Sequence, residues 1–323
     1  MSGRPVPPVA SQPDAGLKGP VLVTGAAGFL GRRIAALLHA RGVALRLFDV
    51  PAALPALQQL AATLGPAEAL AGDIRERADV HRALAGCGGV LHLAGVLTPT
   101  CSADPVLGAQ VNLIGPLHVF EAARAQGLDR VVYASTAGVY GPHDGRQPAP
   151  ATHYGAFKLA VEGAARACWH EHGLASVGLR PFVVYGPGRE SGASAGPSLA
   201  CRAAARGEPF TVGYTGAAGL VFVDDVAAAF VHALLQPRAE GAQVFNLVGE
   251  VHTVDAVLDE IRRQVPGAQL AAEGPPLTIA ADVDEAGLDD WFADRPRTKL
   301  RDGIAATLAH YRALRPGSAP AGS

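Results

Sequence analysis

Val21-Leu22-Val23-Thr24-Gly25-Ala26-Ala27-Gly28-Phe29-Leu30-Gly31 reads as a buried strand, a glycine turn and the start of a helix. The uninterrupted apolar run suits a strand covered on both faces. The glycines fall as Gly-x-x-Gly-x-x-Gly. Gly25 permits the tight turn, Gly28 lets a pyrophosphate approach the backbone, and Gly31 lets the helix pack on the strand, with the helix N-terminus facing the anion. A glycine pattern alone also fits an ordinary strand–helix turn, so its surroundings decide. Asp49 lies about 20 residues further on, at the end of a second strand pattern, where a carboxylate binds a ribose diol and repels a 2′-phosphate. Val50 and Pro51 follow it, with no Arg, so the spacing favours NAD over NADP. Asp73, in Gly72-Asp73-Ile74 after a third strand, fits either the adenine amino group or a helix N-cap.

Outward from that turn, strands and helices alternate. Strands are expected over 20–24, 43–48, 67–71, 89–93, 130–134 and 174–180, and helices over 29–41, 54–64, 75–85, 106–126 and from Tyr154 to about His172. Strict alternation predicts an α/β fold: a Rossmann-type, doubly wound parallel sheet with helices on both faces. Beyond Tyr185, Gly, Pro and Ser crowd 186–198, which reads as a long loop. Short strands follow near 210–212, 220–223 and 243–247, with helices over 224–236, 253–264 and 303–312. The expected organisation is a tail at 1–19, an NAD-binding domain over 20–185, and a smaller substrate-binding region over 186–323 interleaved with the end of the sheet.

Composition narrows the function classes. The 323 residues carry a net charge of −2 and nearly half are apolar, enough for a sizeable core, with no basic block to hold nucleic acid or a membrane surface. Cys87, Cys101, Cys168 and Cys201 lack Cys-x-x-Cys spacing and read as reduced thiols of a cytoplasmic protein. No apolar run reaches membrane-spanning length. The tail is rich in Pro, Ser and Gly and lacks an apolar stretch, so it reads as disordered rather than as a signal peptide. His39, His81, His118, His170 and His172 show no paired metal-ligand spacing, and no metal is expected.

Tyr154 and Lys158, four apart, project from one helix face. The chain has three lysines against twenty-four arginines, yet keeps a Lys here. A compact ammonium can lie beside a phenol and a ribose where a planar guanidinium would not fit. A phenol of ordinary pKa about 10 beside a cation is a workable general acid/base. His153, next to Tyr154, should point elsewhere on the helix start.

These residues resemble the extended short-chain dehydrogenase/reductase family, also called the NAD-dependent epimerase/dehydratase family, over most of the chain. The matching elements are Thr24-Gly25-x-x-Gly28-Phe29-Leu30-Gly31, His92-Leu93-Ala94-Gly95, Asn112 within a long helix, Tyr133-Ala134-Ser135-Thr136-x-x-Val139-Tyr140-Gly141, Tyr154-x-x-x-Lys158, Leu179-Arg180-Pro181 and Phe222-Val223-Asp224-Asp225-Val226. The resemblance implies Tyr154 as acid/base. It implies that Lys158 binds the nicotinamide ribose and lowers the Tyr pKa, and that Thr136 polarises the substrate oxygen, with Ser135 a weaker candidate. It implies a cofactor held by Gly25, Gly28, Phe29, Leu30, Asp49, Asp73, Ile74, Leu93, Ala94, Gly95, Asn112, Tyr154, Lys158 and Pro181. It also implies a homodimer through the helices at 106–126 and 154–172.

The chain departs from nucleotide-sugar members of that family at two phosphate-contact positions. Where those carry an Asn before Tyr-Gly-Pro, this chain has Val183 and Val184; where they carry an Arg before Val-Asp-Asp, it has Ala218. An unpaired diphosphate would bind poorly there. The expected substrate is therefore a small free sugar, sugar acid or hydroxy acid, met by Ser135, Thr136, Val183 and Arg189, the last a possible carboxylate clamp. The competing readings are an NAD-retaining epimerase or dehydratase and a non-catalytic NAD sensor. Asp224 and Asp225 are expected to cap a helix, and Cys101 at most to line the pocket.

Overall fold

The computed structural model describes residues 16–236, 240–285 and 287–314. The elements run β1 (Val21–Thr24), α1 (Phe29–His39), β2 (Leu45–Asp49), α2 (Leu54–Leu64), β3 (Ala67–Ala71), α3 (Arg77–Leu84), β4 (Gly89–His92), α4 (Thr98–Ala103), α5 (Pro105–Ala109), α6 (Gly115–Ala125), β5 (Val131–Ala134), α7 (His153–His172), β6 (Ser176–Pro181) and β7 (Val183–Tyr185). They continue α8 (Gly196–Arg206), β8 (Phe210–Val212), β9 (Ala217–Phe222), α9 (Val223–Leu235), β10 (Ala242–Leu247), β11 (Glu250–Thr253), α10 (Val254–Gln264), β12 (Leu270–Ala272), α11 (Leu288–Trp291) and α12 (Leu300–Ala313).

Seven strands form one parallel sheet in the order β10-β6-β5-β4-β1-β2-β3. The order reverses between β1 and β4, which opens a crevice at the carboxyl ends of those strands, where ligands bind in such sheets. Side-chain alternation supplies both faces. Val21, Val23, Leu47, Leu91 and Val132 join one buried cluster; Leu22, Phe48, Val90, Val131 and Tyr133 join the other. Ile34 and Leu38, one turn apart and fully buried, hold α1 on the sheet. Truncating either to Ala costs about 2–5 kcal/mol.

Three departures from the sequence reading have clear physical causes. The helix expected over 106–126 is interrupted: α5 passes through a π turn at Gln110–Ile114 before α6 begins. Pro116 offers no N–H to the Asn112 carbonyl and its ring crowds that group, so the wider turn accommodates it. The long loop expected over 186–198 ends early, because α8 starts at Gly196 with Pro197 in its first turn, where a missing N–H does no harm. Asp224 and Asp225 do not cap α9, whose N-cap is Phe222. Asp225 accepts from the Thr298 N–H at 2.7 Å and hydroxyl at 2.8 Å, tying down the approach to α12, and Asp224 pairs with Arg33 at 3.4 Å.

After Pro181 the chain leaves the main sheet. β7 pairs with β9, and β9 with β11, in a small three-stranded sheet; β8 and β12 form a separate pair, and β10 returns to the main sheet. The tail at 1–15 lies outside the described residues. Among the described residues no helix is long and apolar enough to cross a membrane.

Candidate active site

The glycine turn is tight enough to exclude side chains. Gly25 has φ of 69°, and a Cβ there would sit 2.8 Å from the Ala94 nitrogen. A Cβ on Gly31 would lie 2.3 Å from the Gly25 carbonyl oxygen. At the mouth of α1, Gly28 offers no side-chain cap and the first turn holds no acid, so the backbone N–H groups around Phe29 and Leu30 are left for an anion. Asp49 closes the other side: its carboxylate accepts from the Ala27 N–H at 3.0 Å and the Val50 N–H at 2.9 Å. Bare backbone N–H groups suit a diphosphate and a carboxylate suits a ribose diol, so this cradle fits a dinucleotide.

Asp73 is not the cap of α3, which starts at Arg77 behind Glu76. Its carboxylate accepts the Arg75 N–H at 2.9 Å and pairs with the Arg75 guanidinium at 2.5 Å, which holds it below the usual carboxylate range. Ile74 is buried against Gly115 of α6.

Beyond β4, Thr24 Oγ1 accepts the N–H groups of Leu93 at 3.1 Å and Ala94 at 3.2 Å, so its own proton goes to His92 Nδ1 at 2.8 Å. That fixes His92 as the Nε2–H tautomer. Burial, with the Lys158 charge, pushes its pKa down to about 3. Asn112, expected to hold the cofactor, is fully buried. Its amide oxygen accepts the Val96 N–H at 3.1 Å, and its nitrogen donates to the Val96 carbonyl at 2.8 Å and Cys101 Sγ at 3.1 Å. It thus pins the segment that carries Gly95. Cys101 is likewise fully buried behind Asn112, so it does not line the pocket.

Thr152 caps α7 through the Gly155 N–H at 3.1 Å, and the helix presents Tyr154 and Lys158 one turn apart. Lys158 Nζ lies 5.9 Å from the centre of the Tyr154 ring and donates to the Ala134 carbonyl at 2.9 Å. Burial pushes its pKa down to about 8, against the pull of Cys101 and Glu162. Thr136 stands just beyond the end of β5, where its hydroxyl accepts the Gly138 N–H at 3.1 Å and lies close enough to the Tyr154 hydroxyl to favour its ionised form. Burial pushes Tyr154 up to about 12, and the charges and hydrogen bond that oppose it come from Arg189 and Thr136. The cation that favours the Tyr154 phenolate here is Arg189. At neutral pH, Tyr154 is a phenol close to a second hydroxyl, a pair able to hold and protonate a carbonyl oxygen.

Other expected substrate residues divide. Ser135 is buried, its hydroxyl donating to Glu162 at 2.5 Å, so it is engaged within the protein. Val183 is 1% exposed, paired with Leu220 within the core, and does not line the pocket. Val184 and Ala218 are also buried, while Pro181 ends β6 opposite Leu247. His153 is exposed and stacks on Phe157, as its position implied. Arg189 does reach the crevice region, its guanidinium carbon 5.7 Å from the Phe29 ring centre.

The sequence reading missed the polar network beneath the site. Arg180 donates to both oxygens of Glu162, at 2.8 and 2.5 Å, and to the Tyr140 hydroxyl at 2.6 Å. Tyr140 and Asn246 then join β10 to the cluster. A Glu four residues beyond Lys158 on the same helix face was the available signal. Among the described residues, no group of three or more His, Cys, Asp or Glu could hold a metal ion.

Comparison with known proteins agrees with this geometry. The model of the NAD dependent epimerase/dehydratase family matches residues 21–248. The chain is 30% identical to the UDP-glucose 4-epimerase of Azospirillum brasilense, over 94% of this chain and 95% of that protein. It is 33% identical to the uronate dehydrogenase of Pseudomonas putida, over 50% of this chain and 59% of that one. The Thermus thermophilus UDP-glucose 4-epimerase, solved as a complex with NAD, superposes with a TM-score of 0.77 at 28% identity, covering 91% of this chain and 99% of that one. With its strand order, glycine cradle and Tyr-x-x-x-Lys helix, the chain belongs to the NAD-dependent epimerase/dehydratase family and is an NAD-dependent enzyme of the extended short-chain dehydrogenase/reductase type.

Proposed function

We propose that this enzyme transfers a hydride between nicotinamide and a secondary alcohol or ketone of a small free substrate: a sugar, sugar acid or hydroxy acid. The observation that carries the reading is what fills, among the described residues, the two motif positions that contact a diphosphate in nucleotide-sugar members. Val183, Val184 and Ala218, which stand at the motif positions of the Asn and Arg of nucleotide-sugar members, are apolar and withdrawn into the core, so they offer a diphosphate no contact, and Arg202 is already paired with Glu190. In this reading Tyr154 moves the hydroxyl proton, Thr136 holds the substrate oxygen, and Lys158 orients the nicotinamide ribose. Bound NAD supplies the hydride acceptor. Asp49 makes NAD the preferred form over NADP, and Asp73 and Ile74 lie on the adenine side.

A second reading, an epimerase that retains and regenerates its NAD, draws support from the 30% identity to a UDP-glucose 4-epimerase over nearly the full length. Calorimetry of the NAD-loaded enzyme with UDP, UDP-glucose and UDP-glucuronate separates the two. No measurable binding is expected; micromolar binding of any of them favours the epimerase. A homodimer is part of the proposal, because Val106, Ile114 and Leu117 stand exposed along α5, the π turn and α6. Light scattering at micromolar concentration should give twice the chain mass.

A further inference from the structure

We propose that Arg189 is a carboxylate clamp, so that the substrate is a hydroxy acid or sugar acid bearing one negative charge; this rests on the free-substrate reading above. Arg189 lies in the loop between β7 and α8, where Gly188 at φ 86° and Gly192 at φ 107° bend the chain in ways that other residues rarely adopt. The guanidinium packs over Phe29 at the mouth of the cofactor helix, and Nη2 donates to the Ser194 hydroxyl at 3.2 Å. Nε is enclosed and has no hydrogen-bond partner. Arg180 and Arg202 in the same region each hold a carboxylate, Glu162 and Glu190, while Arg189 pairs with none among the described residues. An unpaired guanidinium largely withdrawn from water is costly. Its charge favours the ionised forms of Tyr154 and Tyr214, so this cost is carried within electrostatic reach of the candidate proton-transfer group.

The ligand that offsets such a cost is an anion, and one planar fork matches one carboxylate. A nucleotide diphosphate, with two charged phosphates, would need more than one such fork. The loop also fixes the clamp sterically. A Cβ on Gly192 would lie 3.0 Å from Leu97 Cδ1 and 3.2 Å from Arg189 Nη2, so Leu97, Gly192 and Arg189 form one close-packed wall.

The test compares the wild type with Arg189→Lys and Arg189→Leu, each checked for folding by circular dichroism. NADH formation is followed with uronates, aldonates and 2- and 3-hydroxy acids against the corresponding neutral sugars and polyols, and NAD affinity is measured separately by fluorescence titration. Wild type should prefer an acid over its neutral counterpart by at least about 30-fold in kcat/KM, the scale of one charged hydrogen-bonded pair. Arg189→Leu should collapse that preference, mainly through KM. Arg189→Lys, which keeps the charge and loses the fork, should retain part of it, and NAD affinity should stay within about two-fold. Galacturonate binding to the wild-type enzyme–NADH complex, measured calorimetrically, gives a readout independent of turnover. Equal or better turnover of the neutral counterparts would overturn the clamp alone. So would a loss of NAD affinity in Arg189→Leu with acid preference intact, which would assign the guanidinium to the cofactor diphosphate. Turnover of no free substrate, with UDP-glucuronate bound, would instead overturn the free-substrate reading.

Discussion

Replacing Lys158 by Met should make the protein more stable at neutral pH while removing its activity. Lys158 is 3% exposed, and burial lowers its pKa from 10.5 to about 8. Below pH 8 both the folded and the unfolded chain carry the proton, and the full penalty of burying the ammonium stands. Between pH 8 and 10.5 the unfolded chain still holds the proton that the folded chain has lost, so stability rises with pH across that window. At about 1.4 kcal/mol per pH unit the penalty is about 3 kcal/mol. Met fills a similar volume without the charge but leaves the Ala134 carbonyl without its 2.9 Å donor, a loss of about 1 kcal/mol. The expected net gain is about 2 kcal/mol at pH 7. Urea unfolding without NAD, at pH 7 and pH 9.5, measures it, because bound cofactor would add its own stabilisation. Wild type should gain stability between the two conditions, and Lys158→Met should not share the gain. A variant that is less stable than wild type at pH 7, with the same pH dependence, would refute the reasoning that Lys158 is held there at a cost.

Other consequences follow from the same geometry. Tyr154→Phe should lower turnover by about 10²–10⁴ and leave NAD binding nearly intact; a variant keeping a tenth of the activity would remove Tyr154 from proton transfer. Glu162→Ala strands the buried Arg180 guanidinium and should cost about 3–5 kcal/mol in urea unfolding, whereas an exposed ion pair would cost under about 1. NADP should bind far more weakly than NAD in fluorescence titration, and Asp49→Ala should narrow the gap; equal affinities in the wild type would take Asp49 out of ribose recognition. The rate of alcohol oxidation should rise with pH as Tyr154 gives up its proton. Arg189→Leu removes the cation that draws that pKa down, so the rising limb should move to higher pH.

The parallel sheet was legible because its signals are local. Apolar runs, glycines that no other residue can replace, and Asp49 at the end of β2 each name their own backbone state. Tyr154 and Lys158 were legible because four-residue spacing on a helix fixes a shared face. The orientation of neighbouring side chains at a strand end was not: Ser135 and Thr136 differ by one residue, and only tertiary packing shows that Ser135 serves Glu162 while Thr136 meets Tyr154. Asn112 illustrates the same limit. Its place near Gly95 is readable, but that both ends of its amide are spent on Val96 and Cys101 depends on the π turn that Pro116 induces. The balance of forces on Tyr154 was also out of reach, because burial depends on residues far along the chain, among them Arg189.

The central claim is tested most directly by measuring net NADH at 340 nm when the enzyme is given NAD and a limiting amount of a free sugar acid. The account predicts one NADH formed per substrate consumed. Conversion of a UDP-sugar to its epimer with no net NADH would contradict it.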